Sequence, residues 1–153
     1  MIRKANESDI PSISKMLNEI LLIHHKLRPD LFKPNGAKFD DDEAISLMKD
    51  PNTPVFVYEL DGNVVGHLFG RFIVRKEEGH TYPYKEFYVD DLVVKEGFRR
   101  RGIGKELLEF ASSYAKENGC DYLTLHVWEG NPADRFYLDN GLSVRNRVLE
   151  KKL

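Results

Sequence analysis

The chain has 153 residues, 41% hydrophobic and 31% charged, a balance that excludes fibrous and disordered classes and points to a globular domain. Its 23 basic and 25 acidic side chains leave a net charge of -2, which argues against nucleic acid as a partner. The lone Cys120 excludes an intrachain disulfide, and MIRKANESD opens without an apolar signal core, so the expectation is one cytoplasmic domain over residues 1–153 with no membrane partner.

In chain order, MIRKA reads as a first strand. Asn6 and Asp9 form a capping pair ahead of Ile10, Ile13, Leu17, Ile20, Leu21 and His24, which recur at helical spacing. Pro29, Pro34 and Gly36 mark an irregular loop, and DDDEAISLMKD reads as a short helix with acidic residues at its N-terminus. PVFVYEL and VVGHLFGRFIV flank Asp61-Gly62-Asn63 as a hairpin, and after the polar RKEEGHT the run YKEFYVDDLVV is a further strand. VKEGFRRRGIGKELLEFASSYAKENG is then a turn plus helix, with Ile103, Leu107, Leu108, Ala111 and Tyr114 on one face and Gly119 at its stop. DYLTLHV is a strand, PADRFYLDN a short helix with Pro132 in its first turn, and LSVRNRVLEKKL a last strand. A helix bridging two strands is a βαβ crossover, so the class is α/β with a mixed sheet.

The turn into the second long helix carries the chemistry. A strand running straight into a helix leaves several N–H groups unpaired at one spot. Gly102 and Gly104 let a bulky anion approach that backbone, the helix dipole favours negative charge, and Arg99, Arg100 and Arg101 add bidentate donors. A solvated basic turn is the alternative reading. Leu107 stands where a dinucleotide-binding fingerprint needs its third glycine, and no Lys-Ser/Thr ending follows, so a phosphate ligand would fall outside both of those groups.

Arg99-x-x-Gly102-x-Gly104, between YVDDLVV and KELLEFA, resembles the R/Q-x-x-G-x-G/A signature of the GNAT superfamily of acyl-CoA-dependent N-acyltransferases. IRKANESDI, VYELDGNVVGHLFG and LHVWEGNPADRFYLDNGLSV resemble, in order, that family's opening elements, central hairpin and C-terminal motif. The resemblance implies a GNAT fold, a mixed, mostly antiparallel sheet of about six to seven strands flanked by about four helices, with acetyl-CoA as co-substrate. A homodimer is in keeping with it. It further implies that Arg99 and the amides of Arg100, Arg101, Gly102, Ile103, Gly104 and Lys105 cradle the pyrophosphate of coenzyme A. The main chain of Leu92, Val93 and Val94 would follow the pantetheine arm, with the Leu92 N–H polarising the thioester carbonyl. Tyr137 matches the tyrosine that protonates the departing thiolate; the alternative is a core tyrosine beside Phe136. Asn131 is carried over as a coenzyme contact, although Asn131-Pro132-Ala133 is one residue shorter than the family's N-x-x-A, and Ala133 fits as a packing residue.

A primary amine with pKa near 10 is only about a thousandth neutral at pH 7, so the site must remove a proton. Asp90 and Asp91 are adjacent on a strand and are expected to point to opposite faces. FYVDDLVV resembles the acidic pair of polyamine and thialysine acetyltransferases, which implies Asp90 as base and Asp91 as amine-binding or structural partner; an edge feature is the alternative. His25 and Phe32 lie in a loop similar to the one that covers the family's acceptor pocket and are expected to line it, as is His24 unless it packs in the core. Residues 40–43 either attract a cation or cap a helix. Trp128 and Cys120 are expected in the core. No metal site is expected, since no His/Cys pair has ligand spacing. The function so implied is acetyl transfer from acetyl-CoA to a primary amine in a ternary complex, the acceptor polyamine-like or amino-acid-like. A peptide N-terminus or lysine as acceptor, and a non-catalytic acyl-CoA-binding module, are the alternatives.

Overall fold

The computed structural model describes residues 1–153. The hairpin pattern organises the sheet. β1 (Ile2–Lys4), β2 (Val55–Leu60), β3 (Asn63–Arg75), β4 (Tyr84–Val94) and β5 (Tyr122–Thr124) lie in the order β1-β2-β3-β4-β5. All neighbours are antiparallel except β4 and β5, which run parallel. The helices are α1 (Ile10–Leu27), α2 (Asp41–Lys49), α3 (Ile103–Glu117) and α4 (Ala133–Asp139). α3 makes the crossover between β4 and β5 that the sequence pattern requires.

Each sheet face has its own apolar cover. Ile13 and Leu17 of α1 pack with Val55, Val57 and Phe69, and α2 adds Leu47 and Met48 at the margin. Ile103, Leu107, Ala111 and Ala115 of α3 pack on the other face with Phe56, Leu68, Phe87 and Val89, and Cys120 borders that cluster. Local chemistry sets the helix starts. Asp9 accepts from the Asn6 N–H while the Asn6 side chain accepts from the Ser8 N–H, and Arg3 grips Asp9 with two bonds of 2.8 and 2.9 Å. Asp40 and Glu43 cap α2 reciprocally, so the acidic run is a capping box in this fold.

Two expectations about the sheet need correction. It has five strands, fewer than the six to seven implied by the resemblance, because LSVRNRVLEKKL forms none; DYLTLHV does form a strand, shortened to Tyr122–Thr124. The alternation of the tail buries nothing: Val144, Val148 and Leu149 are 60%, 87% and 90% exposed. A side chain meets the sheet instead, as Arg145 reaches the buried Glu86 at 2.8 Å and lies over Tyr122 at 4.9 Å. Trp128, expected in the core, is 37% exposed.

β3 crosses β4 most tightly at Gly70, where an added Cβ would come within 1.9 Å of the fully buried Phe87 ring. Gly70→Ala is therefore expected to lower stability by roughly 1–3 kcal/mol in urea unfolding, with Gly70→Ala/Phe87→Leu recovering part of it. An unchanged midpoint would contradict this packing.

Candidate functional site

β5 pairs β4 only at Glu86, Phe87 and Tyr88, so residues 89–94 have β3 on one side and no strand on the other. Beyond them the chain bends into α3 through Arg100 at φ 65° and Gly102 at φ 85°, both left-handed. Left-handed residues within such a turn tilt successive N–H groups to one side, forming an anion-binding concavity. No amide of residues 99–105 donates to any protein acceptor; the helical ladder begins with the Glu106 N–H on the Gly102 carbonyl at 3.0 Å. A Cβ at Gly102 would meet nothing within 4 Å, and one at Gly104 would meet the Phe136 ring at 3.5 Å.

The arginines divide in two. Arg99 is spent on the scaffold: its Nε donates to the Val94 carbonyl at 2.8 Å and its Nη2 meets Glu19 of α1 at 3.2 Å. Glu19 also accepts from the Glu96 N–H at 2.9 Å, so one carboxylate staples the turn to α1. Arg100 and Arg101 make no ion pair, and Arg101 rests over Phe98 at 5.1 Å. Lys105 touches only Glu109, at 3.8 Å on the surface. Seven orphan amides, a helix N-terminus and two unpaired guanidinium groups fit a diphosphate.

Along β4 the register passes from Phe69 opposite Asp91 to Gly70 opposite Val89, which makes Asp90 a bulged residue. A bulge breaks side-chain alternation, so the two aspartates do not point apart as strand geometry predicts. Both reach the same cation: Lys38 Nζ lies 2.6 Å from Asp91 and 3.3 Å from Asp90. Sequence reasoning missed Lys38. It sits in the loop before α2, more than fifty positions from its partners, and nothing local distinguishes it from other lysines.

Asp91 is 7% exposed, and burial pushes its carboxyl up to about 6 despite the attraction of Lys38. Burial works against the Lys38 ammonium as well, but the charges and hydrogen bonds of Asp91 and Asp90 outweigh it and hold its pKa above the usual lysine value. Tyr137, half-buried on α4, is pushed up to about 12 by burial and then by the Asp91 charge, so its phenol keeps its proton at neutral pH. His67 is fully buried without a partner for either ring nitrogen, and burial, aided by Lys38, lowers it to about 3. It is a neutral ring against Phe69.

The remaining residues singled out by the sequence are engaged with their own surroundings. His25 Nδ1 lies 2.7 Å from the Phe32 carbonyl, which ties the loop back to α1. Phe32 packs on His24 and meets Trp128 edge-on, with ring centres 5.0 and 5.2 Å apart. Burial, then the Lys38 charge, lowers the pKa of His24. Asn131 Oδ1 accepts from the Ala133 N–H at 3.0 Å and so caps the helix that carries Tyr137. A cavity of about 470 Å³ between α1 and α2 includes Phe39 and the acidic first turn of α2 but neither aspartate of the pair nor Tyr137.

The acetyltransferase (GNAT) family profile matches residues 20–142. An uncharacterized N-acetyltransferase of Lactobacillus delbrueckii subsp. lactis is 28% identical, covering 93% of this chain and 83% of that protein. The thialysine N-epsilon-acetyltransferase of Bos taurus is 24% identical over 86% of this chain and 76% of that one. The crystal structure of a tetramutant Bacillus halodurans protein shares the fold, with a TM-score of 0.95 at 24% identity over 100% of this chain and 99% of that one. The chain belongs to the GNAT family, enzymes that use acetyl-CoA as acyl donor, and it is an acyltransferase.

Proposed function

We propose that the protein passes the acetyl group of acetyl-CoA to a primary amine of a small cationic acceptor, polyamine-like or amino-acid-like, with both reactants bound at once. The reading is carried by the ion pair of the buried Asp91 with Lys38 at 2.6 Å, on the same strand, β4, that runs into the orphan amides, and it is supported by a Tyr137 phenol that feels the Asp91 charge. The name of the bovine relative, which specifies a small amine, supports the acceptor class.

The chain's own residues divide the work. The amides of Arg100, Arg101, Gly102, Ile103, Gly104 and Lys105 hold the diphosphate, while Arg99 fixes the turn that aims them. The uncovered edge at Leu92, Val93 and Val94 takes the pantetheine arm, and the Leu92 N–H polarises the carbonyl. Asp90, the more exposed carboxylate, meets the acceptor's cation together with Asp91. The pair then removes a proton, and Asp91 is the member whose burial brings it nearest to a neutral working pH. Tyr137 gives its proton to the departing sulfur. Phe32 forms part of the acceptor wall, held there by His25, and Asn131 acts through the helix of Tyr137. Holding the reactants together contributes several kcal/mol through orientation.

Thiol release from acetyl-CoA, assayed with polyamines, lysine analogues, aminoglycosides and N-terminal peptides, is expected with the small diamines. Turnover confined to peptides would overturn the acceptor class, and coenzyme binding without any turnover would indicate a binding module. Tyr137→Phe is expected to lower kcat about a hundredfold while coenzyme Kd stays within about threefold. A base must be ionised to act, so kcat/KM should rise with pH through about 6 as Asp91 loses its proton, and Asp91→Asn should lower activity and abolish that limb. A limb at the ordinary carboxylate value of 3.8 would contradict the role of burial.

A further inference from the structure

The ammonium of Lys38 stands where this reading puts the acceptor's nitrogen, on Asp91 at 2.6 Å and Asp90 at 3.3 Å. The loop that delivers it is fixed on both sides. Upstream, His25 binds the Phe32 carbonyl; downstream, Phe39 stacks on Phe69 at 5.5 Å and Asp40 caps α2. Lys49 and Lys105 differ: their side chains are 69% and 61% exposed against 41% for Lys38, and each touches a single surface glutamate rather than a pair of carboxylates.

We propose that Lys38 is a self-acetylation site, an internal amine acceptor used when acetyl-CoA is bound and no external amine is present. The inference rests on the acetyl-transfer reading above. Chemically, the Lys38 ammonium gives one proton to the aspartate pair and from there to solvent. The neutral Nζ then forms a bond to the acetyl carbon as the carbon–sulfur bond breaks. Its second proton is balanced by the one the leaving sulfur receives through Tyr137. One acetyl-CoA and one ammonium give one acetamide, one free thiol and one proton. The reaction is intramolecular, so a fixed amine gains the advantage of proximity that a freely diffusing one lacks. It is also self-limiting. The acetamide fills the acceptor's place and removes the cation from between the two carboxylates.

The test incubates the full chain with acetyl-CoA alone, at several protein dilutions, and follows acetyl-lysine by peptide mass spectrometry. Lys38 is expected to be modified at least about tenfold faster than Lys49 and Lys105, at a rate independent of protein concentration. Excess spermidine should slow it, and Asp91→Asn should reduce it to the background of the other two lysines. The same chain unfolded in urea, where all three lysines should react alike, provides a reference that does not depend on how the variant folds. Lys38 reacting no faster than Lys49 and Lys105, or equally fast in Asp91→Asn, overturns the proposal. If the folded, unsubstituted chain still turns over diamines, only the Lys38 inference is lost. If neither diamines nor Lys38 are acetylated, the acetyl-transfer reading falls with it.

Discussion

The site depends on main-chain donors that the fold leaves unspent where β4 becomes α3. A buried sheet consumes its N–H groups in ladders and a helix consumes all but its first few. Here the two sets of orphans are joined, because β5 leaves β4 after Tyr88 and the turn contains left-handed residues at Arg100 and Gly102. Glu19, Arg99 and the Val94 carbonyl make the turn rigid, which aims the donors before any ligand arrives. Rigidity and unspent donors together fit this connection to the proposed role of holding a diphosphate.

The second ingredient is charge held in a poorly solvated place. Two adjacent aspartates on one bulge would repel strongly if both were ionised and alone. Lys38 relieves this by bridging them at 2.6 and 3.3 Å. Under the proposed reading such a pair would attract an acceptor's ammonium and pass its proton to a carboxylate whose pKa burial has raised to about 6. Burial, and after it the field of Asp91, raise the pKa of the Tyr137 phenol further above its ordinary value.

Much of this was legible because it is local. The capping pairs at Asn6 and Asp40, the Asp61-Gly62 hairpin and the glycine-bearing turn each write their geometry within a few residues, and each formed as read. What failed was non-local. The tail alternates like a strand, but a strand exists only if a neighbour offers a ladder, and none does here. Asp90 and Asp91 looked like neighbours facing apart because a bulge is set by the partner strand's register, which the two residues themselves do not encode. Lys38 was invisible for the same reason: its meaning comes from a loop folding back onto β4. His25, expected from the loop resemblance to line the acceptor pocket, and Asn131, expected from the C-terminal motif to touch coenzyme A, also bond the backbone beside Phe32 and at the start of α4.

The most direct test of the central claim is a titration of the nitrogen-15-labelled protein with coenzyme A, followed through backbone amide resonances. The account predicts the largest shifts at residues 99–105, the amides that find no acceptor within the chain. Shifts gathered instead around the cavity between α1 and α2, with those seven resonances unmoved, would contradict it.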